Sequence, residues 1–389
     1  MQKLDPALAQ SIVSKSMSII DCNVNIMDIR GVIIASGDQG RIGQVHEGAL
    51  LVLSHQRAVE IDGEMCRQFH GSKPGINLPL RAEGEIVGCL GLTGNPEELR
   101  QPAELLRMAA ETMLERETVL RMVARDEHLH EQLTLGLVQT GTAAPALANW
   151  AEAQGIDLAL PRVATVIELD GGDMDADAVS AEIPRLYPVL KDADHKNLVA
   201  TVSRCQVTVL HPALNRKGEW DLEAQRLRAE KLLPPLRDAC SVGLKLALGH
   251  YFPEAGGLMR SFQVARSTLA IGKLRAPQTS AYFYADIKLP VLLDALRGQW
   301  QGRELLAPLE RLIRHDRQGQ LLKTLVRWFA CGMQMAATAN ALEIHRNTLD
   351  YRMGRIAEIS GLDLSSTEDR VRLYLALQMV DAKLLASCA

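Results

Sequence analysis

The sequence predicts a multidomain protein that combines α/β domains with an all-helical C-terminal domain. Its 389 residues exceed the size at which a single hydrophobic core keeps growing. Strand and helix patterns alternate as far as about residue 285, which is typical of α/β domains, and strand patterns almost vanish after Asp286. We therefore predict domains at residues 1–140, 147–285 and 286–389.

The first domain has the pattern helix, hairpin, helix, hairpin, long helix. Arg30-Gly31 and Glu83-Gly84 fall between strand patterns and predict tight turns. This order of elements is typical of a PAS-like sensory domain, which holds a small ligand between its sheet and helices; the inference is one of fold analogy. The predicted elements are a helix over Leu4–Ile20, strands at Asn23–Asp28 and Val32–Ser36, a helix at Val45–Ser54, strands at Ile76–Arg81 and Glu85–Thr93, and a long helix over Glu97–Leu137.

The long helix carries Leu99, Leu106, Met113 and Leu120 at a seven-residue spacing, but Arg116 interrupts the other seam positions. Packing on the helix's own domain and a dimeric coiled coil both agree with this pattern. The sequence leaves these two alternatives open.

The second domain follows a linker at Thr140–Pro145 and alternates strands with helices. This alternation predicts an α/β domain. The strands are predicted at Arg162–Leu169, Leu198–Ser203, Gln206–His211 and Val242–Leu248, with helices at Ala178–Leu190 and Trp220–Arg237.

Near the C-terminus, a short helix at Met335–Leu342, a connection at Glu343–His345 and a helix at Arg346–Ser360 predict a helix-turn-helix. At ~100° per residue, the second helix places Leu349, Met353 and Ile356 toward the core. Asn347, Tyr351 and Gly354 fall on the opposite face.

That outer face carries the residue types that read DNA. Asn pairs with adenine edges and Arg with guanine edges in the major groove, and residues at the start of a recognition helix reach the bases. A solvated helical hairpin would also have a polar outer face, so this alternative remains. The predicted DNA-binding residues are Thr338, Asn340, His345, Arg346, Asn347, Thr348, Tyr351, Arg352 and Arg355.

Composition restricts the other possibilities. The net charge is -4, so a nucleic-acid contact would require a local basic patch on an acidic chain. Aromatic residues make up only 4% of the chain, which does not favour an aromatic stacking platform for single-stranded nucleic acid. The seven cysteines include no CxxC pair, so their spacing indicates neither a disulfide framework nor a zinc site. The sequence shows no signal-peptide pattern and no apolar run long enough to span a bilayer. We expect a cytoplasmic protein without a membrane segment, metal or cofactor.

Two sets of motifs resemble known families. His345–Arg352, Arg355-Ile356, Ser360–Leu362 and Glu368–Leu377 resemble the C-terminal helix-turn-helix of PucR-type regulators. The N-terminal motifs are similar to the sugar diacid recognition domain, so the whole chain resembles the carbohydrate diacid regulator family. These motifs are Asn25–Asp28, Arg30–Ile34, Gly40–Gly43, His46–Leu50, Gly75–Leu80 and Gly84–Gly88.

The resemblance implies a transcriptional activator of genes for uptake and breakdown of glucarate, galactarate or glycerate. It would bind a double-stranded operator, most simply as a homodimer or higher oligomer, and RNA polymerase is a further candidate partner. A hydroxy acid needs cationic or amide donors in a concave site. The effector-binding candidates are Arg41, Gly43, His46, Gly75, Ile76 and Asn77, with Lys73 and Gly71 nearby.

The second domain resembles nucleotide cyclase domains that carry a Gly-Gly-Asp-Glu-Phe hairpin, but its predicted hairpin turn is Arg204-Cys205. A cyclase needs carboxylates for two metals, and Gly171–Met174 lies outside the hairpin. We therefore expect a coupling or dimerisation domain and no enzyme. A cyclic-dinucleotide signalling protein and a sensor that acts only through protein partners remain alternatives.

Overall fold

The computed structural model describes residues 4–63, 66, 73–172 and 174–380. The chain divides into two compact units, residues 1–127 and 128–389. Within the described ranges, no helix has both the length and the apolar character needed to cross a membrane.

The first unit is built around a five-stranded antiparallel sheet with the strand order β2-β1-β5-β4-β3. The helices and the two hairpins that the sequence predicts are present, and the three-residue β3 is an addition too short to leave a periodic signal. The elements are α1 (Pro6–Met17), β1 (Val24–Met27), β2 (Ile33–Ser36), α2 (Glu47–His55), β3 (Val59–Ile61), β4 (Gly75–Ala82), β5 (Glu85–Thr93) and the start of α3 (Pro96–Thr140).

Local sequence explains where these elements begin and turn. The Asp5 side chain caps α1 by accepting a hydrogen bond from the Ala7 amide at 2.9 Å. Glu83 and Gly84 have φ angles of 52° and 84°, so the β4–β5 turn uses two successive positive-φ residues. The backbone twist of such turns matches the twist of the two strands that they join. Glycine adopts a positive φ without steric cost.

Helices pack against both faces of the sheet in the first unit. Ile76, Leu78 and Leu90 lie in one core cluster with residues of α1 and α3. Met27 and Cys89 lie in a separate cluster with residues of α2. Because strand side chains alternate, Asn77 points to the α2 face while its neighbours Ile76 and Leu78 point to the α3 face.

In the long helix α3, the residues of the seven-residue pattern lie mostly against the first unit. Leu106 is buried in the core of the first unit, and Leu99 and Met113 are half-buried against it. Leu120 is 52% exposed. Three of the four predicted seam residues therefore pack on the helix's own unit.

The second unit contains another five-stranded sheet, in the order β10-β9-β6-β8-β7. Its strand pairs are antiparallel except β9 and β10, which run parallel. The predicted strands and helices are present, and α4, α7 and β10 are additional elements. The elements are α4 (Pro145–Ala153), β6 (Arg162–Asp170), α5 (Ala176–Ala193), β7 (Leu198–Ser203), β8 (Gln206–Pro212), α6 (Leu222–Ala239), β9 (Gly243–Leu248), α7 (Gly257–Arg275) and β10 (Ala281–Phe283).

From Lys288 onward the described chain is helical, as the sequence predicts. Leu325, Trp328, Leu349, Ile356 and Leu373 meet in one core there. The helices are α8 (Lys288–Asp294), α9 (Trp300–His315), α10 (Gln320–Ala330), α11 (Met335–Ala341), α12 (Arg346–Ser360) and α13 (Thr367–Met379).

Candidate nucleic-acid interface and effector site

The helix-turn-helix of the sequence analysis is present as α11 and α12. The chain turns between them at Glu343, whose φ is 52°. Helix α12 ends at Gly361, which adopts the left-handed conformation that commonly terminates helices. The two helices and their connection lie within one residue of the predicted bounds.

Helix α12 has the predicted buried and exposed faces. Leu349 and Ile356 are fully buried, whereas Asn347 is exposed and Tyr351 is 70% exposed. A Cβ placed on Gly354 would have no atom within 4 Å. The folding of this chain therefore gives no steric reason for a glycine at that position.

The start of α12 combines side-chain and backbone donors. His345 caps the helix, because its Nδ1 accepts a hydrogen bond from the Asn347 amide at 3.2 Å. Arg346 is exposed and its Nε lies 3.9 Å from a carboxylate oxygen of Asp350. Exposed ion pairs of this kind are weak, so the guanidinium can exchange this partner for a phosphate or a base. A helix N-terminus also favours an anion.

Two of the predicted DNA contacts have partners within the helical domain, and for Thr338 the prediction is wrong. Thr338 is fully buried, and its hydroxyl donates to the Gln334 carbonyl at 2.7 Å. Arg352 is half-buried, and its guanidinium donates to the buried Thr324 hydroxyl at 3.3 Å. The Thr338 side chain therefore does not lie on the exposed face, whereas Arg352 is partly exposed and stays a predicted DNA contact.

The remaining predicted contacts lie at the surface. Asn340 and Thr348 are exposed, and Arg355 is half-buried with its guanidinium 2.5 Å from a Glu358 carboxylate oxygen. The exposed set on and beside the first turns of α12 is therefore Asn340, His345, Arg346, Asn347, Thr348 and Tyr351.

In the first unit, a row of polar residues crosses the sheet on the α2 face. Asn25 pairs with Ser36 on one side and with Gly91 on the other, and Gly91 pairs in turn with Asn77. Ser36, Asn25 and Asn77 are all buried. The Ser36 hydroxyl donates to Asn25 Oδ1 at 2.6 Å. Asn77 is a predicted effector-binding residue, whereas its three partners in the row were not predicted as site residues.

Helix α2 approaches this row at a glycine. A Cβ on Gly48 would lie 2.8 Å from Asn77 Nδ2 and 3.0 Å from His46 Cε1. A Cβ on Gly91 would lie 2.7 Å from Asn77 Oδ1. Two glycines therefore border Asn77 and bring it close to His46. Gly48 was detectable because it lies within the His46–Leu50 motif.

His46 is a hydrogen-bonding group and carries no charge at neutral pH. Burial, together with the nearby positive charge of Arg41, lowers the pKa of His46 to about 4. Its Nδ1 accepts a hydrogen bond from the Ala49 amide at 3.3 Å. The neutral ring therefore carries its proton on Nε2, which is left as a donor.

Three predicted donors have other roles. The Gly43 amide donates to the Ile33 carbonyl at 2.9 Å, and its φ of 89° accounts for the glycine. Gly75 and Ile76 lie in the interior strand β4 and pair on both sides, so their backbone groups belong to the sheet. A Cβ on Gly75 would lie 2.0 Å from the Leu92 carbonyl oxygen. The expectation that these amides bind an acid is wrong.

Lys73 and Gly71 were named from the sequence as lying near the predicted effector site. Lys73 lines a cleft with Asp62, Pro74 and Asn95 that does not include His46 or Asn77. Gly71 lies outside the described residues.

The central sheet contains the predicted hairpin of β7 and β8. Its turn is Arg204-Cys205, and the Cys205 carbonyl accepts the Leu169 amide at 2.8 Å. Gly171 lies against α5, where a Cβ would be 2.3 Å from Val179. The neighbouring Asp173 lies outside the described residues. The turn thus lacks the acidic pair that would hold metals in a cyclase.

Comparison with known proteins identifies the family. Three family models match in succession: "Putative sugar diacid recognition" over residues 4–137, "GGDEF-like domain" over residues 140–271, and "PucR C-terminal helix-turn-helix domain" over residues 321–379. The carbohydrate diacid regulator of Escherichia coli strain K12 is 49% identical over 376 residues, which cover 97% of this chain and 98% of that protein.

The chain belongs to the carbohydrate diacid regulator family. A further relative, an uncharacterized protein of Haemophilus influenzae, is 35% identical over 96% of this chain and 98% of its own length. The proline-responsive transcriptional activator PutR of Bacillus subtilis is 22% identical over 67% of this chain and 63% of its length.

Family membership and the helix-turn-helix together make this chain a transcriptional regulator. Its architecture is mixed α/β, with a sugar diacid recognition region, a GGDEF-like domain and a helical DNA-binding domain.

Proposed function

We propose that this regulator activates genes for uptake and catabolism of a sugar diacid or glycerate when such an acid binds the first unit. The observation that carries the proposal is the polar row Ser36–Asn25–Gly91–Asn77 facing the His46 end of α2. A buried polar row with hydrogen-bonding capacity suits a ligand that carries many hydroxyls.

Arg41 and His46 are the proposed carboxylate-binding groups. Arg41 supplies the charge, and its positive charge contributes, after burial, to the lowered pKa of His46. Neutral His46 donates one hydrogen bond from Nε2, and Asn77 provides donor and acceptor atoms for a hydroxyl. We propose a PAS-like fold for this unit, supported by the order of its elements and by α2 lying across one sheet face.

We propose that the protein acts as a homodimer through α3. Leu105, Met108, Val119 and Met122 are each more than half exposed. Their spacing follows the a and d positions of heptads, which is the seam of a two-stranded coiled coil. This stripe lies on a different face from Leu106 and Met113, which pack on the first unit.

A dimer would present two helix-turn-helix domains to a double-stranded operator. The acid would bias two arrangements of the dimer and thereby change operator binding or contact with RNA polymerase. Since the proposed target is chromosomal DNA, we place the protein in the cytoplasm. The proposed functional parts are residues 1–140 for sensing, 147–285 for coupling and 286–389 for DNA binding.

Thermal denaturation against a ligand panel tests the proposal. The panel contains glucarate, galactarate and glycerate, with glucose and galactose as neutral controls. A ligand at about 100 times its dissociation constant stabilises a protein by roughly 2.7 kcal/mol, which raises Tm by a few degrees. We expect such a rise with one acid and its loss in Arg41→Ala. No rise with any of the acids would contradict the proposed effector class.

A further inference from the structure

The C-terminal part of α3 belongs to the core of the second unit. Leu133 is fully buried there, and Leu137 and Val138 are buried beside it. Their core cluster also contains Leu198 of β7. The earlier part of the same helix contributes Leu106 to the core of the first unit. A single helix is therefore built into two separate cores.

The helical period relates the exposed stripe of α3 to the buried residues that follow it. At ~100° per residue, Leu133 falls ~20° from Met122 around the helix, and Leu137 falls at the same angle as Val119. Val119 and Met122 are more than half exposed, whereas Leu133 and Leu137 are buried. The face of α3 that we propose as the dimer seam thus continues into the core of the second unit. A rotation of α3 within a dimer would therefore also move that core.

Glu131 joins this part of α3 to the edge of the second sheet. Its Oε1 accepts a hydrogen bond from the Thr201 amide at 2.9 Å and another from the Tyr187 hydroxyl at 3.0 Å. Thr201 lies on the edge strand β7, and Tyr187 lies on α5. An edge strand carries backbone donors that no neighbouring strand satisfies. Glu131 satisfies one of these donors and links three elements through one oxygen atom.

The direction of each hydrogen bond in this cluster follows from its groups. A carboxylate only accepts, so the Tyr187 hydroxyl donates to Glu131 and in turn accepts from the Thr201 hydroxyl at 3.0 Å. Burial, with the negative charge of Glu131, raises the pKa of Tyr187 to about 12. Tyr187 therefore keeps its proton at neutral pH and remains a donor to Glu131.

We propose that Glu131 transmits the state of α3 to the GGDEF-like domain. This coupling rests on the proposed function, in which the acid biases two arrangements of an α3 dimer. In one arrangement Glu131 holds Thr201 and Tyr187, and in the other a turn of α3 withdraws the carboxylate from both. The domain in turn contacts the DNA-binding helices, because Arg275 of α7 donates to the Gln378 carbonyl of α13 at 2.9 Å.

Hydrogen–deuterium exchange of β7 in the full chain tests this coupling. The ligand is whichever of glucarate, galactarate and glycerate raises Tm. We expect it to change the exchange of residues 198–203 at least about fivefold, the lower end of common allosteric couplings. Glu131→Ala should remove this response, whereas Glu131→Gln keeps an acceptor oxygen and should retain it. No change in β7 while the acid is bound overturns the role of Glu131 and leaves the effector proposal intact.

Glu152→Ala is the matched control for Glu131→Ala. Glu152 is exposed on α4 of the same unit. Its replacement should therefore leave the response of β7 to the acid unchanged. An equal loss of response in both variants overturns the specific role of Glu131.

The affinity for the acid provides a second readout. Because coupling between two sites is reciprocal, Glu131→Ala should change acid affinity by up to the factor by which the acid changes exchange. Affinity should rise if the acid speeds the exchange of β7, and fall if the acid slows it. If Glu131 only supports β7 locally, acid affinity stays the same, and that result overturns the proposal. Tyr187→Phe removes one of the two donors and should act in the same direction if Glu131→Ala does not fold.

A ligand-free comparison decides the role of Glu131 if none of the three acids binds, which would itself refute the effector proposal. Val119→Glu combined with Met122→Glu alters the same face of α3 outside the second unit. We expect this pair to change the exchange of β7 in the wild-type background but not in Glu131→Ala. Unchanged exchange, or an equal change in both backgrounds, overturns the proposal.

Discussion

Asn77 and Gly91 lie opposite each other on β4 and β5, with so little space that a methyl group on Gly91 would stand 2.7 Å from Asn77 Oδ1. The glycine thereby keeps the Asn77 amide in the polar row below α2. This relationship links the local sequence of β5 to the proposed effector site.

Gly91→Ala should weaken sugar diacid binding at least about tenfold, because the displaced Asn77 amide loses its hydrogen bonds to the ligand. Calorimetry with the effector found in the thermal panel provides the measurement. Gly40→Ala is the matched control, since its Cβ would lie at an ordinary 3.4 Å from Asp38. Equal affinity in the two variants would contradict the proposed position of the ligand.

The buried His46 should make the first unit less stable in acid. Its folded-state pKa is about 4, below the ordinary value of 6.5, so the unfolded chain binds the proton first as the pH falls. Stability is therefore full above about pH 6.5 and decreases toward pH 4, by up to roughly 3 kcal/mol. Denaturant unfolding of wild type and His46→Asn across this range measures the effect. Asn keeps a helix cap but does not titrate, so identical slopes for both proteins would refute the assignment.

Gly354→Ala should affect folding and DNA binding in opposite directions. A helical Gly costs about 1 kcal/mol relative to Ala, and the added Cβ meets no atom in the free protein. We expect a higher unfolding free energy together with weaker binding to a duplex obtained by in vitro selection. Unfolding curves and fluorescence anisotropy give the two quantities. A stabilised variant with unchanged DNA affinity would show that DNA does not approach this position.

Asn347→Ala should lower affinity for the selected duplex by about 1–3 kcal/mol, the range for a specific base contact. Its effect on folding should be small because Asn347 is exposed. Thr338→Val is the control, since the Thr338 hydroxyl is buried and bonded within α11. An equal loss of affinity in both variants would indicate a general disturbance of the domain.

The exposed stripe on α3 should hold the dimer together. Combining Val119→Glu and Met122→Glu places like charges at a seam and should convert the dimer to monomer in sedimentation velocity experiments. Leu120→Glu makes a similar change at an exposed residue outside the stripe of Leu105, Met108, Val119 and Met122 and should leave the dimer intact. A double variant that remains dimeric would exclude this stripe as the interface.

The sequence predicted periodic and locally coded features well. Leu349, Met353 and Ile356 follow from the helical period, and the Arg30-Gly31 and Glu83-Gly84 turns follow from glycine conformation. Thr338 was misplaced because a seven-residue, alanine-rich helix gives no clear polar face. The contact of Arg352 with Thr324 was not predicted, because only the folded domain shows that this long side chain reaches inward.

Features that depend on long-range pairing could not be derived from the sequence. The row of Ser36, Asn25, Gly91 and Asn77 requires the register of three strand pairs.

Run-off transcription by bacterial RNA polymerase, from a template that carries the selected duplex upstream of a promoter, tests acid control of this regulator most directly. With the wild-type protein, we expect the effector acid to increase transcript yield, whether it acts on operator affinity or on polymerase contact. Arg41→Ala should bind the template without responding to the acid, and Asn347→Ala should fail to activate. A transcript yield that the acid leaves unchanged, or equal activation by Arg41→Ala, would contradict the claim that an acid bound to the first unit controls this regulator.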